Sequence, residues 1–125
     1  MDGRSVRPLE WVGSSRDVLK AFPEEVQDHI GFALYQAQIG AKHRDAKPLA
    51  NLGSGVLEVV SNFDTNTYRA VYTVRFRDAV YVLHAFQKKS KRGIATPKAE
   101  IDLVRRRLKA AEQHHAAAHG KDAKL

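Results

Sequence analysis

The sequence predicts an α+β domain with a small, mostly antiparallel sheet, an N-terminal helical hairpin on one face and a C-terminal helix. Three observations lead to this class. Residues 67–76 alternate apolar and polar side chains as a strand does, and residues 80–86 follow as an almost wholly apolar, β-rich run. Between Pro23 and Gly40, apolar residues recur at helical spacing. A second stripe with helical spacing follows residues 96–97.

The N-terminal part of the chain predicts one strand and two helices. Residues 6–12 form the strand, and Pro8 indicates an edge position or an irregular start. Ser14 is expected to be the N-cap of a short helix. Pro23 opens a longer helix that Gly40 ends, and two helices this close together predict a helical hairpin lying on a sheet. The apolar stripe of the longer helix consists of Val26, Ile30, Ala33, Leu34 and Ala37.

The middle of the chain predicts a loop and then three strands. Residues 41–55 contain Pro48 and end in Gly53-Ser54-Gly55, and they are expected to have little regular structure, whereas residues 56–61 are a strand. If the last two strands are joined by a loop at residues 76–79, Arg69 pairs with Phe86 and directly paired residues share a face. This register collects Arg69, His84, Phe86 and Lys88 on one face. A three-residue loop would reverse that parity.

The C-terminal helix is predicted from its start signals and from its apolar stripe. Thr96 is a good N-cap and Pro97 a good first helical residue. The stripe that docks the helix on the sheet consists of Ile101, Val104, Leu108 and Ala111. Residues 1–112 are therefore expected to form one domain, and the alanine- and histidine-rich residues 113–125 to form a disordered tail.

Positive charge is concentrated near the C-terminus. Residues 85–110 hold nine basic and two acidic side chains, a net charge of +7, which equals the net charge of the whole 125-residue chain. The remainder of the chain is therefore neutral. A positive field concentrated on one loop and one helix predicts an anionic partner.

Composition excludes several classes of function. The chain has no cysteine, which excludes disulfides, cysteine nucleophiles and thiolate metal sites. No apolar run is long enough for a membrane span, and the polar start lacks the core of a signal peptide, so a cytoplasmic protein without a membrane partner is expected. The six histidines form no helical pair with zinc-ligand spacing among acidic neighbours, so neither a metal nor another cofactor is expected.

Several segments together resemble the phage-derived HigB-like branch of the RelE toxin superfamily. These are TYRAVYTVRF at residues 67–76, AVYVLHAFQKKSKRGIATPKAEIDLVRRRL at residues 79–108, DAKPL at residues 45–49 and GVLEVV at residues 55–60. The resemblance covers about residues 5–112. It implies a toxin of a type II toxin–antitoxin system with a compact α+β fold, neutralised by a helix-turn-helix, HigA-like antitoxin. The implied activity is that of an endoribonuclease that cleaves messenger RNA on the translating ribosome.

The implied cleavage needs no metal, because a ribose 2′-hydroxyl attacks the adjacent phosphate. The reaction requires a base for the hydroxyl proton, cations for the transition-state charge and an acid for the leaving oxygen. The resemblance implies Arg69, in the YR-x-x-Y pattern, and Lys88 and Lys89, which close the next strand, as the cations. His84 is a candidate for proton transfer and Phe86 for stacking on a nucleobase. The further candidates for RNA binding are Lys47, Lys91, Arg92, Arg105 and Arg106.

The chain departs from the family pattern in two places. Glu58 stands on a strand where the best-known RelE-type toxin has lysines, and the tyrosine that precedes the final helix in that toxin is absent. Arg69 could therefore pair with Glu58 across the sheet, and His84 could be a hydrogen-bonded core residue. On that reading the protein is a non-catalytic module whose basic patch holds RNA, DNA or an acidic protein.

Overall fold

The structure is a computed structural model and describes residues 6–88 and 95–120. It confirms the α+β class. The chain forms, in order, β1 (Leu9–Trp11), α1 (Ser15–Lys20), α2 (Glu24–Gln38), β2 (Ala46–Pro48), β3 (Val56–Phe63), β4 (Asn66–Thr73), β5 (Val80–Lys88) and α3 (Lys98–His119).

The five strands form one sheet in the order β1-β5-β4-β3-β2. The sheet is mixed, since β1 lies parallel to β5 while the other three pairings are antiparallel. The parallel edge was not part of the prediction. The other edge strand, β2, lies inside residues 41–55, which were expected to form an irregular loop. It forms because Ala46 is fully buried in the core and pairs with Val59 of β3.

The central hairpin confirms part of the predicted register. Arg69 pairs with Phe86, and Val71 pairs with His84. A β-bulge then shifts the register between Val71 and Tyr72, and Leu83 has no partner on β4. The strand β4 consequently ends at Thr73, and residues 74–79 form the connection, so the predicted loop at residues 76–79 was too short.

Helices cover both faces of the sheet. The hairpin of α1 and α2 packs on one face, where Val26, Ile30 and Leu34 are buried against β-strand residues such as Val59 and Tyr72. The helix α3 packs on the opposite face, with Val104, Leu108 and Ala111 buried in a second cluster. The strands β4 and β5 are therefore covered on both sides, as the apolar run of β5 predicted.

The C-terminal helix differs from its prediction at both ends. It begins at Lys98 with Pro97 in the N-cap position, and the Thr96 hydroxyl donates to Glu58 instead of capping the helix. It then continues through His119, so residues 113–119 are helical although the disordered tail was predicted to start at 113. Burial explains the extension, because His115 is stacked on Phe76 with ring centroids 4.6 Å apart. Residues 121–125 lie outside the described residues.

Candidate functional site

The candidate site lies on the sheet face that α3 contacts, called the α3 face below. Because directly paired residues share a face, strand pairing places three rows of side chains there. These rows are Asn62, Thr67 and Lys88; Val60, Arg69 and Phe86; and Lys47, Glu58, Val71 and His84.

The helix α3 covers only one end of this face. Its first turn lies beside His84, whose Nε2 is 2.6 Å from Glu100 Oε1, and its later part lies beside residues 74–79, where Arg75 Nη1 donates to Glu112 Oε2 at 2.7 Å. Lys88 is partly exposed and Lys47 is exposed. The α3 face therefore has an apolar, covered end and a more open end at Lys88, while Lys47 is exposed on the edge strand β2.

A buried ion pair lies between these two ends. Arg69 Nη1 donates to Glu58 Oε1 at 3.0 Å, and the two side chains are 5% and 10% exposed. The Thr96 hydroxyl donates to the other oxygen of Glu58 at 2.7 Å, and Lys88 Nζ donates to the carbonyl of Ala95 at 2.9 Å. The ion pair thus anchors residues 95–96, and these residues in turn orient the lysine at the end of β5.

His84 is held by protein groups at both of its ring nitrogens. Nε2 bonds Glu100, and Nδ1 lies 3.4 Å from Nη1 of Arg107. The same Nη1 donates to the carbonyl of Leu83, the bulged residue of β5, at 3.0 Å. Burial, followed by repulsion from Arg106, lowers the pKa of Arg107. The Phe86 ring stacks on His84 with centroids 5.0 Å apart, so both rings are part of the buried end of the face.

Three of the other predicted cations, Lys47, Arg105 and Arg106, lie on described elements. Arg105 and Arg106 are exposed on α3, as predicted, and Arg105 Nη1 donates to the carbonyl of Asn51 at 3.1 Å. Lys47 lies on the edge strand β2. Lys89, Lys91 and Arg92 lie outside the described residues.

The structure therefore brings Arg69, His84, Phe86 and Lys88 onto one face, but with different accessibility. Exposed ammonium and guanidinium groups such as those of Lys47, Lys88 and Arg106 can bind phosphate directly. Arg69 and His84 are nearly enclosed and contact acidic side chains, an arrangement that suits positioning of neighbouring groups. Sequence reasoning did not find Thr96 and Glu100 as members of the site. It treated Arg107 as a surface cation and did not place it beside His84, because spacing along the chain carries no signal that α3 docks on these strand residues.

A second polar cluster lies on the opposite side of the sheet. His29 Nδ1 is 2.7 Å from the Ser61 hydroxyl, and His29 Nε2 is 2.8 Å from Asp45 Oδ2. The Asp45 backbone N–H donates to His43 Nδ1 at 3.0 Å. The hydrogen bond with His29 is the main cause that lowers the pKa of Asp45. These bonds connect α2, β3 and the segment before β2, and this structural role is enough to explain why the cluster is there.

Among residues 6–88 and 95–120, two groups bring three possible metal-ligating side chains within 4.8 Å of one another: His29, His43 and Asp45 form one, and Asp78, His115 and His119 form the other. In the same part of the chain, no helix combines the length and the apolar character needed to cross a membrane.

Comparison with known families gives one match. A family model described as "Phage derived protein Gp49-like (DUF891)" matches residues 17–109, more than half of the chain. The matched segment begins in α1 and ends in α3, so it includes all the residues in the three rows of the α3 face. No curated protein and no solved structure matches the chain significantly.

Proposed function

Since the chain belongs to the phage-derived Gp49-like family, a family linked to RelE-like toxins of toxin–antitoxin systems, we propose that it is the toxin of such a system. More specifically, we propose that the protein is a HigB-like, ribosome-dependent endoribonuclease that cleaves messenger RNA and so inhibits translation. Its partners are the ribosome, the message and a helix-turn-helix, HigA-like antitoxin, and its place is the cytoplasm.

The observation that carries the nuclease proposal is the open end of the α3 face together with the exposed cations beside it. Lys47 and Lys88 share this face by strand register, and the exposed Arg105 and Arg106 extend the positive surface along α3. The strands that carry the two lysines, β2 and β5, are three strand spacings apart, or roughly 14 Å across the sheet. A single-stranded message crossing this face would meet cations at several successive phosphates, which fixes its path without reading its sequence.

In the proposed reaction, the 2′-hydroxyl gives its proton to the base and its oxygen attacks the adjacent phosphorus. The bond from phosphorus to the 5′-oxygen of the next nucleotide breaks, and that oxygen takes a proton from water, which leaves a 2′,3′-cyclic phosphate and a 5′-hydroxyl. Lys88, together with Lys89, stabilises the negative charge that grows on the phosphate oxygens. Arg69 is a positioning residue, because it acts through Glu58 and Thr96 on the segment that orients Lys88.

His84 remains the candidate base, with Glu100 accepting from its Nε2–H in one tautomer and Arg107 facing its Nδ1. To take a proton from RNA, His84 would have to exchange one of these contacts for the substrate. We expect His84→Ala to lower the cleavage rate if His84 is the base, whereas His114→Ala is the matched control, since His114 is a histidine of α3 that bonds the Tyr81 hydroxyl away from this site. Equal cleavage by the two variants would remove His84 from the chemistry.

A second candidate function has its own support. Arg69 and His84 both contact acidic side chains where they are buried, which favours a structural role for them. The protein would then be a non-catalytic module that binds RNA, DNA or an acidic protein through Lys47, Lys88 and the arginines of α3. This module would have the same cationic surface without turnover.

The deciding experiment is primer extension on a defined message in a reconstituted translation system, with and without ribosomes. We expect wild-type protein to produce new cuts only when ribosomes are present. Lys88→Ala should abolish or strongly reduce them, whereas Lys20→Ala, which removes the same charge from α1 on the other side of the sheet, should leave them intact. Absence of cuts from the folded wild-type protein under all conditions would refute the nuclease and favour the binding module.

Salt dependence separates binding from chemistry for the same variants. Loss of one phosphate contact should weaken binding to single-stranded RNA and reduce the slope of log affinity against log salt by roughly 0.7. Loss of a cation that acts only in the transition state should lower turnover while the affinity is nearly kept. Lys47→Ala is expected to follow the first pattern and Lys88→Ala the second.

A further inference from the structure

The last turns of α3 and the connection between β4 and β5 together form a three-ligand cluster at the covered end of the α3 face. His115 and His119 stand four residues apart on α3, so one helix face presents both imidazoles. The acidic member, Asp78, comes from residues 74–79. The sequence shows the histidine pair, whereas Asp78 is distant from it along the chain and approaches it only in the folded protein.

The distances suit tetrahedral coordination. Asp78 Oδ2 is 3.4 Å from His115 Nε2 and 3.7 Å from His119 Nδ1. Two ligand atoms that each lie about 2.1 Å from a tetrahedral ion are separated by about 3.4 Å. The three ligand atoms all lie within 4.8 Å of one another, so only a small inward movement brings them to one ion.

A second observation points to a ligand at this place. The side chain of His115 is only 2% exposed, and its Nε2 has no hydrogen-bond partner among residues 6–88 and 95–120. A buried polar atom without such a partner is costly, so one that is aimed into a cluster of ligand atoms suggests a group that completes it. In the His29 cluster, by contrast, both ring nitrogens of His29 are already hydrogen-bonded.

The surroundings keep His115 ready to bind. Its ring stacks on Phe76 at 4.6 Å, and on the His119 ring with the same centroid separation, which restricts its rotation. Burial first, and the nearby His119 second, lower the pKa of His115, which favours the neutral form of the ring, the form that binds a metal.

We propose that Asp78, His115 and His119 form a site for a divalent transition-metal ion, with Zn²⁺ as the preferred ion. Two imidazoles and one carboxylate form a ligand set that zinc accepts, and the fourth position is left for water. The ion joins the C-terminal turns of α3 to the connection between β4 and β5. Its role is to hold the end of α3 on the sheet, and it takes no part in RNA cleavage.

The test uses tag-free, full-length protein that has been stripped with chelator and then titrated with Zn²⁺ by calorimetry and with Co²⁺ by visible absorption. We expect one ion per chain and the intense visible bands of tetrahedral Co²⁺. Asp78→Asn and His119→Ala should each weaken binding by more than the roughly 10–100-fold that loss of an outer-shell partner costs. The His119 side chain is 40% exposed, so its removal should leave the fold intact.

Two control variants locate the ion. His114→Ala removes a neighbouring histidine of α3 that bonds Tyr81, and Asp45→Asn removes the carboxylate of the other three-ligand cluster; both should retain binding. The proposal is overturned if wild type binds neither ion, if both Asp78→Asn and His119→Ala bind as wild type does, or if Asp45→Asn abolishes binding. Because no readout involves RNA, failure of this proposal would leave the nuclease proposal unaffected.

Discussion

The Arg69–Glu58 pair allows a quantitative prediction. Both side chains are at least nine-tenths buried, and their contact atoms are 3.0 Å apart. Arg69→Ala leaves the Glu58 carboxylate buried without its cation, and breaking such a pair from one side costs about 3–5 kcal/mol. A domain of this size has a total stability of about 5–15 kcal/mol, so the variant should remain folded but with its unfolding midpoint clearly lowered.

Two further variants distinguish the ion pair from simple loss of packing. Glu58→Gln keeps an oxygen that accepts from Arg69 and a side chain that can meet Thr96, so it should cost less, about 1.5–3 kcal/mol, the range for a hydrogen bond to a charged group. The double substitution Arg69→Met with Glu58→Leu removes both charges and fills a similar volume. Its stability should approach that of wild type, because apolar replacement of a buried pair is often neutral or better.

The measurement is urea unfolding followed by circular dichroism, with slopes compared to verify that the unfolding transition is the same. The reasoning is refuted if Arg69→Ala costs less than about 1 kcal/mol, or if the costs of the single charge removals simply add in the double variant. Loss of RNA cleavage by a fully stable Arg69→Ala variant would instead show that Arg69 serves cleavage, either directly or by orienting Lys88, and not stability.

Three smaller predictions concern two buried side chains, Tyr72 and His115, and one glycine, Gly55. Burial raises the pKa of Tyr72 to about 12, and its hydroxyl has no hydrogen-bond partner in the described part of the chain. The stability of the fold should therefore fall as pH rises from about 10 towards 12. Tyr72→Phe should abolish this loss in an alkaline unfolding series. Burial lowers the pKa of His115, so the unfolded chain binds the proton more readily than the folded chain does. In chelator-containing buffer, the stability of the fold should therefore decline below about pH 6.5. His115→Phe should flatten this decline, and an unchanged profile would show that His115 does not cause it. Gly55 has φ +80°, and an added Cβ would lie 3.2 Å from the backbone nitrogen of Arg75. Gly55→Ala should therefore lower the free energy of unfolding in urea by at least about 1–2 kcal/mol. A cost near zero would contradict this steric argument.

Local pattern was sufficient where neighbouring residues decide the structure. The alternation around Arg69 and the apolar run of β5 predicted their pairing correctly at Phe86 and His84, because strand periodicity and a short connection leave few registers. The apolar stripe from Val26 to Ala37 predicted α2 correctly, because the residues that α2 buries are those that recur at helical spacing.

Local pattern failed where the deciding contact is distant in sequence. The bulge at Leu83 could not be anticipated, because its carbonyl is bonded by Arg107 from α3. The strand β2 was missed because three residues with a proline show no periodicity, and only pairing with β3 makes them a strand. Thr96 was correctly placed near the start of α3, but its hydroxyl bonds Glu58 of β3 instead of the helix backbone.

By itself, the sequence determined the α+β class and the concentration of positive charge between residues 85 and 110. It also carried a resemblance to a phage-derived toxin family, which the match to the phage-derived Gp49-like family supports at that broader level. Tertiary structure alone decided which cations are accessible. Arg69 and Lys88 lie on the same face, yet one is buried against Glu58 and the other is partly exposed at a strand end. The physical reason is the docking of α3, which encloses one end of the face and leaves the other more open, and this packing depends on contacts that no local pattern in the chain encodes.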